Sequence, residues 1–528
     1  MWILIMGNLS SMYLQHFVKG TVLELGMDEI ILFNIGKELS PSAKSVYAEC
    51  SRQARLCIIA GEREYAQALA SGYPVLSRMG YFDVCHLHYI DEYAVQLGKL
   101  AGRFCGKILV HYWGSDGLRA GEPMRLQQSG LVRIADYIVS DSREICAQIK
   151  TYYNGEFDQR VRFIRFKAPV IEELRRKHVT EDVKSAFMEK YQIPRGKTVV
   201  ACGYNGNPAH KHLEILKAIE QMDCETRNSL FLLVPATYGA TSQYIDELKA
   251  ELNRINIPSR IILDYLSILE VACLRSVTDI FINVQPTDAY SSTLLEYSYL
   301  NKIVVNGSWL DYSDLEKEGA FYEKVDRIAD LTEVLERMVP RLEEEKLKYA
   351  SNTGAADRYQ IPYEGNELWE DLYCGKTTLS PSQKQSRAAA SAECLLYINE
   401  LMKSCYMRRM LCIRNLEEQT GLWARKHHFK TVVVYGAGHL GQVVYEQLNG
   451  GYLDLLCVAD QSVRYVEWCP TNVLSPEEIK DVRPDVVIIT PALYFDEIKN
   501  SLAAQLDCEL LTLDQWTGEL ADGHSERA

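Results

Sequence analysis

Residues 288–296 read DAYSSTLLE, which sets two carboxylates, Asp288 and Glu296, eight positions apart with Ser291, Ser292 and Thr293 between them. The strand-like run DIFINV (279–284) comes just before, so the block reads as strand, short loop and a helix starting near Ser291. In open α/β sheets ligands bind at the carboxyl ends of strands, beside helix N-termini. The backbone N–H groups of Ser291, Ser292 and Thr293 would then face outward with the positive end of the helix dipole, which suits a diphosphate. Glu296 lies about one turn further in, where its carboxylate can accept ribose hydroxyls, and Asp288 on the loop can reach the hydroxyls of a sugar. A Ser-capped helix with solvated acids has the same spacing, so the block alone leaves both readings open.

A second phosphate-type signal lies near the C-terminus. Gly436-Ala437-Gly438-His439-Leu440-Gly441 follows the apolar run TVVVY and opens the helical pattern QVVYEQL, and Asp460 ends the run LLCVAD further on. Glycines at this spacing let backbone approach a pyrophosphate, and the acid reads a ribose hydroxyl. Gly436, Gly438, Gly441 and Asp460 are therefore candidate contacts for NAD(P) or another nucleotide; a degenerate unit used only for docking carries the same pattern. No metal ligand set is expected. The 15 cysteines contain no CxxC pair, no Cys/His cluster has zinc spacing, and His427, His428 and His439 are not at metal spacing.

Both signals need sheets to hold them, and the chain supplies three series of short apolar runs separated by amphipathic helical patterns. The first comprises ILIM (3–6), EIILFNI (29–35), VCHLHYI (84–90), KILVHYW (107–113) and YIVS (137–140). The second comprises TVVACGYNG (198–206), LFLLVP (230–235), RIILDY (260–265), DIFINV and KIVVNG (302–307), and the third opens at TVVVY (431–435). Such alternation argues for parallel sheets covered by helices. The expected fold class is α/β, with two tandem Rossmann-like domains and a third, small C-terminal one. The expected boundaries are 1–170, 171–375, a linker and helical segment at 376–428, 429–515 for the small domain, and a disordered tail at 516–528. Within 376–428, the polar stretch KTTLSPSQKQSRAAASAE (376–393) reads as an exposed linker.

With the elements in order, further motifs fall into place. The Asp288–Glu296 block resembles the acidic-x7-Glu signature of the retaining GT-B glycosyltransferases (family 4-like), with Asp where the first acid is usually Glu. YFDVCHLHY (81–89) resembles that family's D-hydrophobic-x-H-x-H strand. KILVHYWGSD (107–116) resembles its next strand, with Trp113 where the family commonly carries His; WGSD is similar to a subgroup that includes fucosamine-type transferases of surface polysaccharides. IADYIVSDS (134–142) resembles the strand closing the first sheet. GYNGNPAHKHLEILKAI (203–219) looks like the glycine-bearing strand end with a basic residue at a helix start, and VPATYGATSQYIDELK (234–249) is similar more loosely. The likeness covers roughly residues 1–370, through short motifs in a fixed order.

The resemblance implies sugar transfer from a nucleotide-diphosphate sugar to a glycan or lipid-linked acceptor, with retention, no metal and no carboxylate nucleophile, in bacterial surface polysaccharide assembly. It implies that Lys211 meets the donor diphosphate, whose charge grows in the transition state. Gly203, Asn205, Tyr238 and Ser291–Thr293 would line the nucleotide, Asp288, Glu296 and Asp116 would act at the reacting centre, and Asn8, Ser10, His88 and Trp113 would sit on the acceptor side. The third unit resembles nucleotide- or NAD-binding modules appended to sugar-modifying enzymes. The net charge of −14 speaks against a broad nucleic-acid surface. Residues 1–167 carry 19 Lys+Arg against 17 Asp+Glu, so the acidic excess lies in the rest, and the first domain is free to meet an anionic membrane face peripherally. Cysteines odd in number and scattered, and the absence of a basic leader or a roughly 20-residue apolar run, point to the cytoplasm. Oligomeric state is not readable. The rival readings are a nucleotide-sugar 2-epimerase, an NAD(P)-linked sugar-nucleotide modifying or sensing protein centred on 431–515, and an inactive transferase-like subunit.

Overall fold

The structure, a computed structural model, describes residues 1–27, 29–35, 39–60, 80–165, 168–360, 366–375, 379, 381–413 and 415–522. Its strands form three sheets in which every recorded pairing is parallel. The first sheet comprises β1 (Trp2–Gly7), β2 (Glu29–Asn34), β3 (Arg55–Ala60), β4 (Phe82–His88), β5 (Cys105–Tyr112), β6 (Tyr137–Ser140) and β7 (Val161–Phe163), in the order β3-β2-β1-β4-β5-β6-β7. The second comprises β8 (Thr198–Cys202), β9 (Leu230–Pro235), β10 (Ser259–Ile262), β11 (Ile280–Asn283), β12 (Ile303–Gly307) and β13 (Glu323–Val325), in the order β10-β9-β8-β11-β12-β13. The third comprises β14 (Thr431–Tyr435), β15 (Asp454–Ala459), β16 (Val486–Ile489) and β17 (Glu509–Thr512), in the order β15-β14-β16-β17.

The apolar runs make these strands because both faces of a parallel sheet are covered. Ile3 to Met6 of β1 are fully buried, with Ile3 and Ile5 in one core and Leu4 and Met6 in the other. In each sheet the strand order reverses once, between β1 and β4, β8 and β11, and β14 and β16. A crevice opens at the carboxyl ends of such a pair. The loops beside Asn8, His88, Gly203, Asp288 and Gly436 lie there by construction.

Four details differ from the sequence reading. The strand at 137–140 does not close the first sheet; the three-residue β7 does, and with so few residues it carries no pattern of its own. Residues from 381 onward are not a linker but the start of a 32-residue helix, Pro381–Cys412, exposed over most of this stretch and buried at Arg387 and Ser391. Its polar composition serves an interface: the Arg387 guanidinium pairs with Asp136 at 2.6 Å and donates to the carbonyl of Ile134, all buried. Residues 376–378 and 380 of that stretch fall outside the described residues. The tail is helical over Leu513–Asp522, with Trp516 and Leu520 buried, and residues 523–528 are not described. Finally, the helix Glu367–Cys374 packs on the first sheet through Trp369, Leu372 and Tyr373, although it follows the second domain in sequence.

Candidate active site in the interdomain cleft

Two adjoining cavities occupy the space between the first and second sheets at the carboxyl ends of their strands. The larger, about 570 Å³, is lined from one side by Asn8, His88, Trp113, Arg119 and Asp141, and from the other by Asn205, His210, Tyr238 and Asp288–Ser292. The smaller, about 250 Å³, is lined by Asn8, Ser10, Tyr13, Tyr238, Tyr265, Arg275, Thr293 and Glu296. A wider surface depression of about 840 Å³ lies by Ser51–Cys57 and Glu29, at the amino ends of β2 and β3, away from both crevices.

The helix Ser292–Tyr299 has Ser291 as its N-cap, so its first turn faces the cleft. Two of its expected outward donors are turned inward. The Ser291 N–H donates to Asp288 Oδ1 (3.2 Å) and to the Tyr312 hydroxyl (3.2 Å), and the Thr293 N–H donates to Ser291 Oγ (3.1 Å). The Ser292 hydroxyl lies 2.7 Å from that of Tyr13, which reaches across from the first domain. Asp288 also accepts from the Tyr312 hydroxyl, and burial raises its carboxyl above the usual range.

Glu296 is buried and its Oε2 accepts from Arg275 Nε at 2.9 Å. Arg275 also donates to Thr293 Oγ1 (3.2 Å) and stacks on Tyr297, 4.9 Å from ring centroid. The other carboxylate oxygen, Oε1, is buried without a protein partner in the wall of the smaller cavity. An unsatisfied charged acceptor in that setting is costly unless a ligand hydroxyl completes it.

Gly203 sits at φ +67°, and a Cβ there would come within 2.9 Å of His210 Cβ, so the loop after β8 needs glycine. Asn205 Oδ1 accepts the Asn207 N–H at 2.9 Å, and its Nδ2 lies 3.5 Å from the Tyr238 hydroxyl. Lys211 does not line either cavity. It adopts a left-handed conformation (φ +61°) before its helix, and its Nζ pairs with Glu214 at 3.1 Å. Asp116 is likewise behind the wall: its carboxylate accepts N–H groups of Ile90 (2.8 Å), Trp113 (3.0 Å) and Gly114 (2.8 Å), bracing the WGSD turn. Burial pushes it up to about 6, opposed by those donors. Asn8 Oδ1 accepts the Ser10 N–H (3.0 Å), and Ser10 accepts the Tyr265 hydroxyl at its carbonyl (2.9 Å).

Three charged groups had no motif to announce them. Arg119 donates to Thr287 Oγ1 (3.0 Å) and to its carbonyl (3.1 Å) across the cleft. Asp141, one residue past β6, is buried with Oδ1 unpartnered; burial pushes it up to about 7, against the pull of Arg165. Arg275 is visible in sequence only as one more helical arginine. Each acquires its meaning from a partner on a distant element. A fourth feature, also missed, is the convergence of His86, His88 and His111 beneath Trp113. All three are buried, and burial holds each imidazole well below its ordinary value, His111 down to about 3.

In the third domain, Gly436 has φ +108° and a Cβ there would lie 2.6 Å from Thr490 Oγ1; a Cβ on Gly441 would meet the Gly436 carbonyl. The space around Gly438 is open. Asp460 folds back on the loop, accepting N–H groups of Ala437 (2.9 Å), Ser462 (2.9 Å) and Val463 (3.0 Å). Burial opposes its ionisation, but those donors outweigh it and hold the carboxyl below its usual range.

A family model described as C2185-like, N-terminal, matches residues 428–509, the third domain. No curated protein matches the chain by sequence. Among solved structures, HepE from Anabaena, in complex with UDP and glucose, superposes with TM-score 0.56 at 12% identity, covering 71% of this chain and 100% of HepE. A UDP-forming α,α-trehalose-phosphate synthase from Burkholderia xenovorans superposes with TM-score 0.50 at 12% identity, covering 72% and 100%. Sucrose-phosphate synthase from Thermosynechococcus elongatus does so with TM-score 0.50 at 10% identity, covering 71% and 100%. At such identity the likeness is one of fold: two tandem Rossmann-like domains in the GT-B arrangement, here followed by a third parallel sheet.

Proposed function

We propose that this chain is a glycosyltransferase that moves a sugar from a nucleotide-diphosphate sugar to a hydroxyl acceptor with retention at the anomeric carbon. The observation that carries the reading is Glu296: a buried carboxylate, aligned by Arg275, with one oxygen left for a ligand in a cavity that opens into the cleft between two Rossmann-like domains. In this reading the nucleoside occupies the smaller cavity, with its ribose hydroxyls on Glu296 Oε1 and its base beside Tyr238 and Tyr265. The sugar extends into the larger one, where Asp288 meets its hydroxyls and the diphosphate lies by the N-terminal turn at Ser292 once donors now turned inward are released. Arg119 already lines that cavity. Lys211 joins it after leaving Glu214, an exposed pair worth no more than about 1 kcal/mol.

The chain's own work is positioning and charge stabilisation. The acceptor hydroxyl enters from Asn8, His88 and Trp113, on the face of the sugar that the leaving phosphate also occupies. A donor phosphate oxygen takes the acceptor proton, and no protein carboxylate attacks. Asp116 holds the WGSD turn rather than touching substrate. A glycan or lipid-linked acceptor in surface polysaccharide assembly, reached from the cytoplasmic face, rests on the resemblance of the WGSD segment. A nucleotide or NAD(P) at the third domain rests on the open approach over Gly438.

One experiment separates these readings: thermal unfolding of the full chain with UDP, GDP, TDP, their sugars and NAD(H). A ligand that binds only the native state raises the melting temperature. The expected result is a rise with one nucleoside diphosphate and its sugar, abolished in Glu296→Gln. A rise with NAD(H) alone would overturn the transferase reading and move the ligand site to the third domain.

A further inference from the structure

β4 and β5 place three histidines on one face of the first sheet. His86 and His88 are two residues apart on β4, so their side chains share a face, and His88 pairs in register with His111 of β5. Their ligand atoms all lie within 4.8 Å of one another. We propose that His86, His88 and His111 bind a divalent transition-metal ion, with zinc as the fitting member of the class.

The polar accounting of the site calls for an occupant. His86 Nε2, both ring nitrogens of His88 and both of His111 are buried without a hydrogen-bond partner. A buried imidazole normally finds one, and here one nitrogen from each of the three rings lies within 4.8 Å of the other two. The surroundings are apolar and aromatic: Phe17 lies 5.0–6.4 Å from the three rings, and Trp369 lies 5.5 Å from His86 and His111. In such surroundings a metal ion is the partner that an imidazole lone pair can take without a protein hydrogen bond.

His86 also carries the mark of an oriented ligand. Its Nδ1 lies 2.7 Å from the hydroxyl of Tyr373. Metal-bound histidines almost always donate the other ring N–H to an oxygen, which fixes the tautomer and aims the remaining lone pair. Here that contact leaves Nε2 for the metal. Tyr373 is itself anchored, since Lys107 of β5 donates to the carbonyls of Leu372, Tyr373 and Gly375.

Zinc–nitrogen bonds of about 2.0–2.1 Å in a tetrahedral set place nitrogens roughly 3.4 Å apart, so each ring needs to move by less than about 1 Å. Three imidazoles from adjacent strands with a fourth position left open form a donor set suited to zinc. His88 is the member that lines the cleft, so the open position belongs on that side, where a water or an oxygen of a bound acceptor would fill it. The site is separate from the Glu296 pocket and does not depend on the donor assignment.

The test is metal loading of the untagged full-length chain. After incubation with ZnCl2 and desalting, one zinc per chain is expected by elemental analysis, and loading with CoCl2 should give the intense visible bands of four-coordinate cobalt. Tyr373→Phe should weaken zinc binding by roughly 10–100-fold. His111→Cys should keep the metal and add a thiolate-to-cobalt charge-transfer band, a signature that a purely structural histidine would not give. His439→Ala, exposed in the third domain, should change nothing. A folded wild-type chain that leaves desalting without zinc and shows only six-coordinate cobalt would overturn the proposal. So would a folded His111→Cys chain that binds cobalt without the new band.

Discussion

On the proposed placement of the donor, Arg119 and Lys211 are candidate cations for its diphosphate, and they start from different states. Arg119 is already in the cleft wall, held by Thr287, whereas Lys211 is paired with Glu214 on its own helix. A charge-assisted contact is worth about 1.5–3 kcal/mol, so loss of either should weaken a nucleoside diphosphate by roughly tenfold or more while moving the free nucleoside less than about twofold. Titration calorimetry on Arg119→Ala and Lys211→Ala reads this, and equal losses for both ligands in Lys211→Ala would show that the lysine stays with Glu214. Asp141 gives a pH signature. The folded chain holds its proton up to about pH 7, while an unfolded aspartate releases it near 3.8. Its stabilising contribution is thus whole below about pH 4 and is lost as pH rises through 7. Wild type should lose up to roughly 4 kcal/mol over that window that Asp141→Asn retains, with the two chains close at pH 4, measured by urea unfolding. A parallel pH dependence would reject this. The spacing of Asp288 and Glu296 was readable because it is local. Arg275, Asp141 and the convergence of His111 on His86 and His88 were not, because their meaning comes from sheet register and from partners on other elements. Lys211 is paired instead with Glu214, three residues on, a partner that side-chain type alone does not reveal.

Element by element, long apolar runs declared themselves and short or polar segments did not. LFLLVP and TVVVY are strands over the same residues in the structure, since both faces of each are buried. β7 and β13, three residues each at sheet edges, carry too little pattern to be seen. The Pro381–Cys412 helix was hidden by composition: SQKQSRAAASAE looks solvated, yet Arg387, Ser391 and Cys394 all contact the first domain. A polar helix face is ambiguous in sequence between water and a polar partner. The Arg387–Asp136 pair is the strongest consequence. Asp136 is fully buried and also accepts the Ile108 N–H at 2.8 Å. Arg387→Ala removes the cation paired with that buried carboxylate, so it should cost about 3–5 kcal/mol in chemical denaturation, far more than removal of a surface arginine. A loss within about 0.5 kcal/mol would mean the helix does not hold its place through this pair.

At the scale of the whole chain, the order of three α/β units was legible, whereas the way they touch was not. One apolar cluster runs from Leu87 and Leu131 of the first domain through Cys394, Met402 and Met410 of the long helix to Val444 and Trp516 of the third. The third domain is therefore docked on the first through that helix. The second domain meets the first through polar contacts across the cleft, Tyr13 to Ser292 (2.7 Å), Tyr265 to the Ser10 carbonyl (2.9 Å), Arg119 to Thr287 (3.0 Å) and Arg143 to Asp314 (2.8 Å), and through Met12 and Ala289, each packed on the other domain's core. A neutral hydrogen bond contributes about 1 kcal/mol and an exposed ion pair about 1 kcal/mol or less. A ligand touching both walls shifts the balance between arrangements of the two domains by its differential affinity for them. Tyr13 and Glu296 both line the smaller cavity, so on the proposed nucleoside placement closing the cleft would also complete that site. Tyr13→Phe keeps the ring and removes only the hydroxyl. If closure is coupled to binding in this way, the variant should loosen a nucleoside diphosphate by about fivefold, the equivalent of about 1 kcal/mol. It should also enlarge the radius of gyration of the ligand-free chain in solution scattering, with saturating nucleotide restoring the wild-type value. Weaker binding with an unchanged radius would make Tyr13 a simple contact to the ligand and leave the two domains fixed.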